Sequence, residues 1–176
     1  MAASLILTIV GPDRPGLVNL VSDQVTAFGG NWLESRMANL AGQFAGIVHV
    51  HVPESNVEPL VAAFRDLEGQ GLRIVVMRGA DRADAPAGRR MQLELVGQDR
   101  PGIVREISHA LASRGVSIDE LVTDCVSGSM SGENLVRATA RLRVPAQVGT
   151  AQLRQALEAL ANDLMVDLTL DDRDRA

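Results

Sequence analysis

Gly11-Pro12-Asp13-Arg14-Pro15-Gly16-Leu17-Val18 occurs a second time in this chain, 86 residues later, as Gly97-Gln98-Asp99-Arg100-Pro101-Gly102-Ile103-Val104. Each copy follows an apolar run, Leu5 to Val10 or Met91 to Val96, and each opens a segment with apolar residues at helical spacing. The repeated stretch therefore predicts a turn from a strand to a helix, present twice. It divides the chain into two similar modules.

The two modules also correspond beyond this turn. Gly29 matches Gly115 at the same offset of 86 residues, whereas Pro53 matches Pro145 at an offset of 92. An insertion of six residues in the second module is therefore predicted within Cys125 to Asn134.

The hydrophobic patterns predict the same order of elements, β-α-β-β-α-β, in both modules. In the first module the predicted strands and helices cover residues 5–10, 17–28, 32–40, 44–52, 57–67 and 72–77. In the second they cover residues 91–96, 103–111, 116–126, 135–144, 153–160 and 164–170. This order is typical of an α+β ferredoxin-like fold, in which two helices cover one face of a four-stranded antiparallel sheet.

Composition sets the expected domain boundaries. The first domain is predicted at residues 1–79 and the second at 91–171, joined by a linker at 80–90 that is rich in Ala, Gly, Pro and charge. Residues 172–176 form a charged tail. Because domains of about 80 residues bury a modest share of their surface, we expect each to pack against another. The free sheet faces and edges predict a homo-oligomer, with packing of the two modules of one chain against each other as the alternative.

The outer face of the first strand differs between the modules. Ile6, Thr8 and Val10 are the candidates in the first, against Gln92, Glu94 and Val96 in the second. An apolar outer face predicts that something covers it in the first module.

Charge and composition exclude several classes of function. The 176 residues carry a formal net charge of -5 and contain no Lys, so direct binding of nucleic acid is not expected. The single Cys cannot form an internal disulfide, and no apolar run approaches the ~20 residues of a membrane span. The N-terminus does not resemble a signal peptide, so the expected location is cytoplasmic, away from the membrane.

The repeated turn has a structural and a functional interpretation, and the residues alone leave both open. Structurally, Pro15 and Pro101 would take the first helical position, while Asp13 and Asp99 would cap the helix. Functionally, free N–H groups at a helix N-terminus bind carboxylates, and glycines in the turn let a small ligand approach the backbone.

The Asp-Arg-Pro-Gly turn, followed by an apolar pair that opens the first helix of a β-α-β-β-α-β unit, resembles the ACT domain. Two tandem copies of the resemblance cover nearly the whole chain. ACT domains are regulatory modules best known for binding amino acids. A pair of them with nothing else is similar to the glycine cleavage system transcriptional repressor family, which acts through a DNA-binding partner.

The resemblance implies a non-catalytic regulator without a cofactor, which binds a small amino acid, with glycine as a candidate, and controls transcription of amino-acid metabolism through a DNA-binding regulator protein. It also implies that ligand contacts come from the two turns and from the head of the second strand of each module. The implied residues are Asp13, Arg14, Pro15, Gly16, Leu17, Asn31, Asp99, Arg100, Pro101, Gly102, Ile103 and Ser117. Because Trp32 corresponds to Ile118, the two sites are expected to differ.

Two other functions remain as alternatives. The first is a small enzyme that handles phosphates or acyl phosphates, as acylphosphatase does on a ferredoxin-like fold. Its signature is absent from the chain, and Asp13 beside Arg14 would repel a phosphate. The second alternative is a dimerisation module without a ligand.

Three further features receive structural interpretations. His49 and His51 share a strand face but lack further metal ligands, so no metal site is predicted. Cys125 is expected to be a buried or edge thiol. The arginines of the last but one strand, Arg137, Arg141 and Arg143, are expected to pair with the strand that carries Gln92 and Glu94.

Overall fold

The computed structural model describes residues 1–79, 88–127 and 134–172. The chain divides into two compact units, Met1–Ala83 and Asp84–Ala176. Most of the predicted linker, the predicted six-residue insertion and the end of the predicted tail lie outside the described residues.

Each unit has the predicted β-α-β-β-α-β order. The first unit consists of β1 (Ala2–Pro12), α1 (Leu17–Ala27), β2 (Asn31–Leu40), β3 (Gln43–Pro53), α2 (Val57–Asp66) and β4 (Arg73–Arg78), with short 3-10 helices at Glu54–Asn56 and Leu67–Gln70. The second unit consists of β5 (Arg89–Gln98), α3 (Ile103–Ala112), β6 (Ser117–Ser127), β7 (Asn134–Val144), α4 (Thr150–Leu164) and β8 (Val166–Asp172).

The four strands of each unit form one antiparallel sheet, with the orders β2-β3-β1-β4 and β6-β7-β5-β8. β2 and β6 are therefore edge strands, and the strand that precedes each repeated turn lies inside its sheet. This confirms the predicted α+β ferredoxin-like architecture.

Alternation along the strands and helical spacing along the helices build one core in each unit. In β1 the side chains of Leu5, Leu7 and Ile9 are fully buried, and α1 covers them with Val21 and Val25. The second core repeats this arrangement with Leu93 and Leu95 beneath Ile107, Leu111 and Leu157. Because full burial of one such side chain contributes about 1.5–3 kcal/mol, these rows stabilise the two units.

The outer sheet faces differ as the first strands predict. In the first unit this face exposes several apolar side chains, among them Val10, Ile47, Val75 and Met77. In the second unit the corresponding face carries ion pairs between β7 and β6, Arg141 with Glu120 and Arg143 with Asp119.

The predicted pairing of β7 with β5 is confirmed, whereas the predicted ion pairs with β5 are wrong for Arg141 and Arg143. The acidic partners lie on β6, where Glu120 is opposite Arg141. Asp119 is the extra residue of a β-bulge, which brings its carboxylate within reach of Arg143. On β5, the side chain of Glu94 instead accepts a hydrogen bond from the amide of Gln92.

Most element ends differ from the sequence prediction by a few residues, and three of the differences change the assignment of a segment. β5 begins at Arg89, inside the predicted linker, because its backbone pairs with β7 and this pairing does not require apolar side chains. α4 continues to Leu164 and ends at Met165, whose φ of 53° is left-handed, so β8 begins only at Val166. Asp172, predicted to lie in the tail, is the last residue of β8.

Candidate functional site

The repeated turn ends in a left-handed glycine before each helix. Gly16 has φ 90° and precedes α1, and Gly102 has φ 98° and precedes α3. Only glycine adopts this conformation without strain. The helices begin one residue later, and neither has a side-chain cap. The structural interpretation of Asp13 and Asp99 as caps is therefore wrong, and Pro15 and Pro101 precede the helix because the glycine occupies its cap position.

The aspartates connect the turn to a neighbouring strand through their backbone. The N–H of Asp13 donates to the carbonyl oxygen of Gly42, 2.9 Å away, in the turn between β2 and β3. The N–H of Asp99 donates in the same way to Asn134, at 2.8 Å. Both side chains remain exposed, so their carboxylates are accessible to a ligand.

The arginines connect the turn to the second helical segment. The guanidinium of Arg14 donates to the carbonyl oxygen of Gln70 at 3.1 Å, and that of Arg100 donates to the carbonyl oxygen of Asp163 at 3.0 Å. Both acceptors lie at the C-terminal end of a helix, where a positive charge is favoured. These two arginines therefore stabilise the fold whether or not they also meet a ligand.

The first glycine of each turn permits a close approach of the chain. A Cβ at Gly11 would lie 2.5 Å from the carbonyl oxygen of Gly71, and a Cβ at Gly97 would lie 2.8 Å from the Cβ of Val166. A larger residue at either position would displace the segment that leads into the last strand. Folding alone thus requires several residues of the repeated stretch.

The N-terminal turn of each helix remains open. Nothing lies within 4 Å of a Cβ at Gly16 or Gly102. The first helical hydrogen bonds to the carbonyl oxygens of these glycines come from the N–H groups of Leu20 and Glu106. The N–H groups of the three residues that precede each donor therefore have no acceptor within the helix. Such N–H groups and the helix dipole together favour a carboxylate.

The predicted contact residues of the turn differ in how far their side chains are exposed. Pro15 and Pro101 are exposed beside the glycines, whereas the side chains of Leu17 and Ile103 are buried in the cores. Leu17 therefore offers a ligand its backbone N–H group only, whereas the side chain of Ile103 also lines an apolar crevice.

Asn31 and Ser117 lie at the opposite end of their sheets. Asn31 is opposite His51, whereas Gly11 is opposite Phe44, seven residues earlier on β3. At about 3.3 Å per residue this separates Asn31 from the turn by roughly 23 Å. Ser117 is opposite Arg143 and is separated from its turn in the same way. Within one unit the structure does not bring these two residues to the turns.

The sequence prediction missed an apolar crevice in the second unit, between α3 and β6. Ile103, Val104, Ile107, Ile118 and Leu121 are among the residues that line it. The sequence signal for this crevice is the replacement of the large Trp32 of the first module by the smaller Ile118 in the second.

The two histidines of β3 form a small polar cluster with Ser4. The rings of His49 and His51 meet edge to face, 5.4 Å apart, and Nε2 of His49 is 2.8 Å from the hydroxyl oxygen of Ser4. In the part of the chain that the structure describes, no group of three or more His, Cys, Asp or Glu residues could hold a metal. Cys125 is exposed on the edge strand β6.

No helix among residues 1–79, 88–127 and 134–172 is both long and apolar enough to cross a membrane.

The family follows from comparison with known proteins. Residues 3–76 match the ACT domain, so the first unit is an ACT domain. The second unit repeats its order of elements, its sheet topology and its turn. The chain therefore contains one ACT domain, followed by a second unit with the same architecture.

The chain also resembles the glycine cleavage system transcriptional repressor. The protein of that name from Escherichia coli (strain K12) is 28% identical over 166 residues, which cover 91% of this chain and 85% of the relative. The protein of the same name from Shigella flexneri shows the same identity and coverage.

Two solved structures share the architecture of the whole chain. A protein of unknown function from Galdieria sulphuraria is 29% identical with a TM-score of 0.87, covering 98% of this chain and 99% of its own. A protein provisionally assigned as a glycine cleavage system transcriptional repressor is 23% identical with a TM-score of 0.72 and covers 97% of both chains. This second likeness concerns the fold.

Proposed function

We propose that this protein is a non-catalytic regulator that binds a small amino acid at the β1-α1 and β5-α3 turns. Glycine is one candidate effector. The observation that carries the proposal is the open N-terminal turn of α1 and α3, where uncapped N–H groups lie next to an exposed aspartate in both units. A carboxylate and an ammonium group, which every amino acid carries, would find complementary partners there.

In this proposal the N–H groups that follow Gly16 and Gly102 bind the carboxylate, and the carboxylates of Asp13 and Asp99 bind the ammonium group. Arg14 and Arg100 hold the turn in place through their bonds to main-chain oxygens. Pro15 and Pro101 limit its flexibility.

The distance of Asn31 and Ser117 from the turns limits their part in the site. They can join a site only if it also includes a turn from another unit of this kind. We propose that a second copy of this chain supplies that unit, so that the protein is a homo-oligomer. The ligand would then contact residues from two copies.

The partner in this proposal is a DNA-binding regulator protein, through which the chain controls transcription of amino-acid metabolism. The named function of the Escherichia coli and Shigella flexneri relatives supports this assignment. The net charge of -5 supports contact with a protein in place of direct contact with nucleic acid phosphates. In this proposal the protein acts in the cytoplasm.

Isothermal titration of the full chain against the twenty amino acids tests the proposal. The variant Asp13→Asn/Asp99→Asn should lose about tenfold or more in affinity, since a charge-assisted bond to the ammonium group is lost at each site. Asp23→Asn, which removes the same charge from an exposed position on α1, is the matched control and should bind like the wild type.

Absence of binding at millimolar concentration, in monomer and oligomer fractions alike, would overturn the proposal. Failure of every metabolite to raise the melting temperature would then favour a dimerisation module without a ligand. Turnover of an acyl phosphate that is lost in Arg14→Gln/Arg100→Gln would favour the enzyme.

A further inference from the structure

The outer sheet face of the first unit carries a continuous apolar surface, which we call the apolar face. The strand register places Ile6 opposite Met77, and Thr8 between Val75 and Ile47. Because directly opposite residues point to the same side of a sheet, these side chains are neighbours across β1, β3 and β4. The exposed fractions of Ile47, Val75 and Met77 are 56%, 45% and 61%. A surface of this kind is typical of an interaction site.

The second unit shows that folding does not require the apolar face. By the same register, its apolar positions correspond to polar residues in the second unit: Ile6 to Gln92, Ile47 to Thr139 and Met77 to Asp171. The two units nevertheless share one topology and build similar cores. Contact with another molecule therefore explains the apolar face better than folding does.

Two histidines lie at one end of the apolar face. His49 is opposite Ile6 and His51 is opposite Ser4, so both rings point to the same side as the apolar rows. The ring centroids are 5.4 Å apart, and Nε2 of His49 is 2.8 Å from the hydroxyl oxygen of Ser4. Both histidines are half-buried already. Arginines occupy the two equivalent positions in the second unit.

The other charged groups of residues 1–79 on or beside the apolar face are few. Glu34 and Arg36 on β2 form an ion pair with an N–O distance of 3.0 Å, and Glu54 and Arg78, beyond the histidine end, pair with each other. Arg73 lies at the opposite end, and β1 contributes no charged residue. With neutral histidines the face therefore has little unbalanced charge, so it can meet a copy of itself without strong repulsion.

The area of the apolar face is sufficient for a dimer. β1 and β3 have 11 residues each, β2 has 10 and β4 has 6. At about 3.3 Å per residue and about 4.8 Å between strands, the sheet presents roughly 600 Å² on one side. Contact between two such faces would bury about 1,200 Å² in total, at the lower end of the range for stable interfaces. The expected affinity is about micromolar.

We propose that the apolar faces of two copies of this chain pack against each other, and that the histidines in this interface make the dimer dissociate as the pH falls. This inference rests on the homo-oligomer of the proposed function and names its surface, but it does not depend on the ligand. In a two-fold contact the same patch of both copies meets, so apolar side chains contact apolar side chains. Histidine changes charge between about pH 5 and 8, and burial disfavours the charged imidazole. Protonation therefore weakens the interface.

Sedimentation equilibrium of the full chain tests the surface. The wild type should dimerise at about micromolar concentration near pH 7.5. Ile47→Thr/Met77→Asp introduces the residues of the second unit at two exposed positions and should raise the dissociation constant at least about tenfold. Val75→Arg should act in the same direction if that double variant fails to fold. Val122→Asp changes an exposed apolar residue on the outer face of the second unit and, as the matched control, should dimerise like the wild type.

The same measurement at about pH 5.5 tests the histidines. The dissociation constant of the wild type should rise at least about tenfold relative to that near pH 7.5. His49→Gln/His51→Gln should still dimerise and should lose this dependence on pH. His109→Gln removes the remaining histidine of the chain, on α3 in the second unit, and should keep the dependence.

A chain that stays monomeric up to millimolar concentration would overturn the inference, as would a dimer that neither Ile47→Thr/Met77→Asp nor Val75→Arg weakens. Equal dissociation constants of the wild type at the two pH values would overturn the role of the histidines. A dimer without amino-acid binding would overturn the proposed effector site and leave this inference standing, whereas a monomer that binds amino acids would do the reverse.

Discussion

The guanidinium of Arg14 donates a hydrogen bond to the main-chain oxygen of Gln70 across 56 positions of sequence. Arg100 repeats the relationship in the second unit with the main-chain oxygen of Asp163. The arginine of the repeated turn therefore joins the start of the first helix to the end of the second helical segment in both units.

Replacement of this arginine should destabilise the unit that contains it. Arg14→Gln removes the bond to Gln70 and should lower the free energy of unfolding by about 0.5–1.5 kcal/mol. Urea unfolding followed by circular dichroism measures the change. Arg73→Gln, which removes an exposed charge without such a bond, should have a smaller effect, and an equal loss in both variants would contradict the role assigned to Arg14.

The first glycine of the turn should not tolerate a side chain. Gly11→Ala places a methyl group 2.5 Å from the carbonyl oxygen of Gly71 and should cost about 1–3 kcal/mol of stability. Gly69→Ala adds the same group where nothing lies within 4 Å, so it should be close to neutral. Thermal unfolding of the two variants compares them directly, and a neutral Gly11→Ala would show that the chain can separate there at little cost.

Glu54 and Arg78 form an exposed ion pair that joins the end of β3 to the end of β4. The hydrogen bond from Arg78 is the main cause that lowers the pKa of the Glu54 carboxyl below its usual 4.5. A carboxyl with a lowered pKa in the folded state stabilises the fold above about pH 4.5, and this contribution is lost as the pH falls through its folded pKa.

Arg78→Gln should return the pKa of Glu54 toward 4.5, because both the hydrogen bond and the attraction to the guanidinium are removed. An NMR titration of the side-chain carboxyl carbon measures this directly. Arg73→Gln serves as the control and should leave the titration unchanged. A pKa for Glu54 that is the same with and without Arg78 would rule out the pair in solution.

Cys125 should react in the folded protein, since it is exposed on the edge strand β6. One equivalent of a chromogenic disulfide reagent should be consumed under native conditions, with no further reaction after addition of denaturant. A thiol that reacts only after unfolding would show that β6 is covered in solution.

Much of the fold could be predicted from the sequence, because the repeat at an offset of 86 residues and the hydrophobic periods are local signals. These signals located the turns at Gly16 and Gly102 and the rows of buried side chains. They could not give the element ends, where backbone pairing continues through charged residues such as Arg89 and Asp172. Nor could they assign the partners of the β7 arginines, which depend on the bulge at Asp119.

The candidate site was predictable in part. The sequence identified the turn but not the contacts through which its residues stabilise the fold. Gly11 and Arg14 contact main-chain atoms about 60 residues away, and main-chain atoms are the same for every residue type, so the sequence pattern does not reveal them. The position of Asn31 required the strand register. The crevice could be located only from the strand registers, which make Ile118 and Thr123 the equivalents of Trp32 and Met37.

The structural duties of the repeated turn bear on how the two halves can evolve after duplication. Selection for folding alone would preserve Gly11, Arg14 and Gly16 and their counterparts, even in a half that had stopped recognising any molecule. The turn therefore indicates common ancestry of the two halves. Folding constrains the crevice between α3 and β6 less, so a difference in recognition between the halves is expected to arise there first.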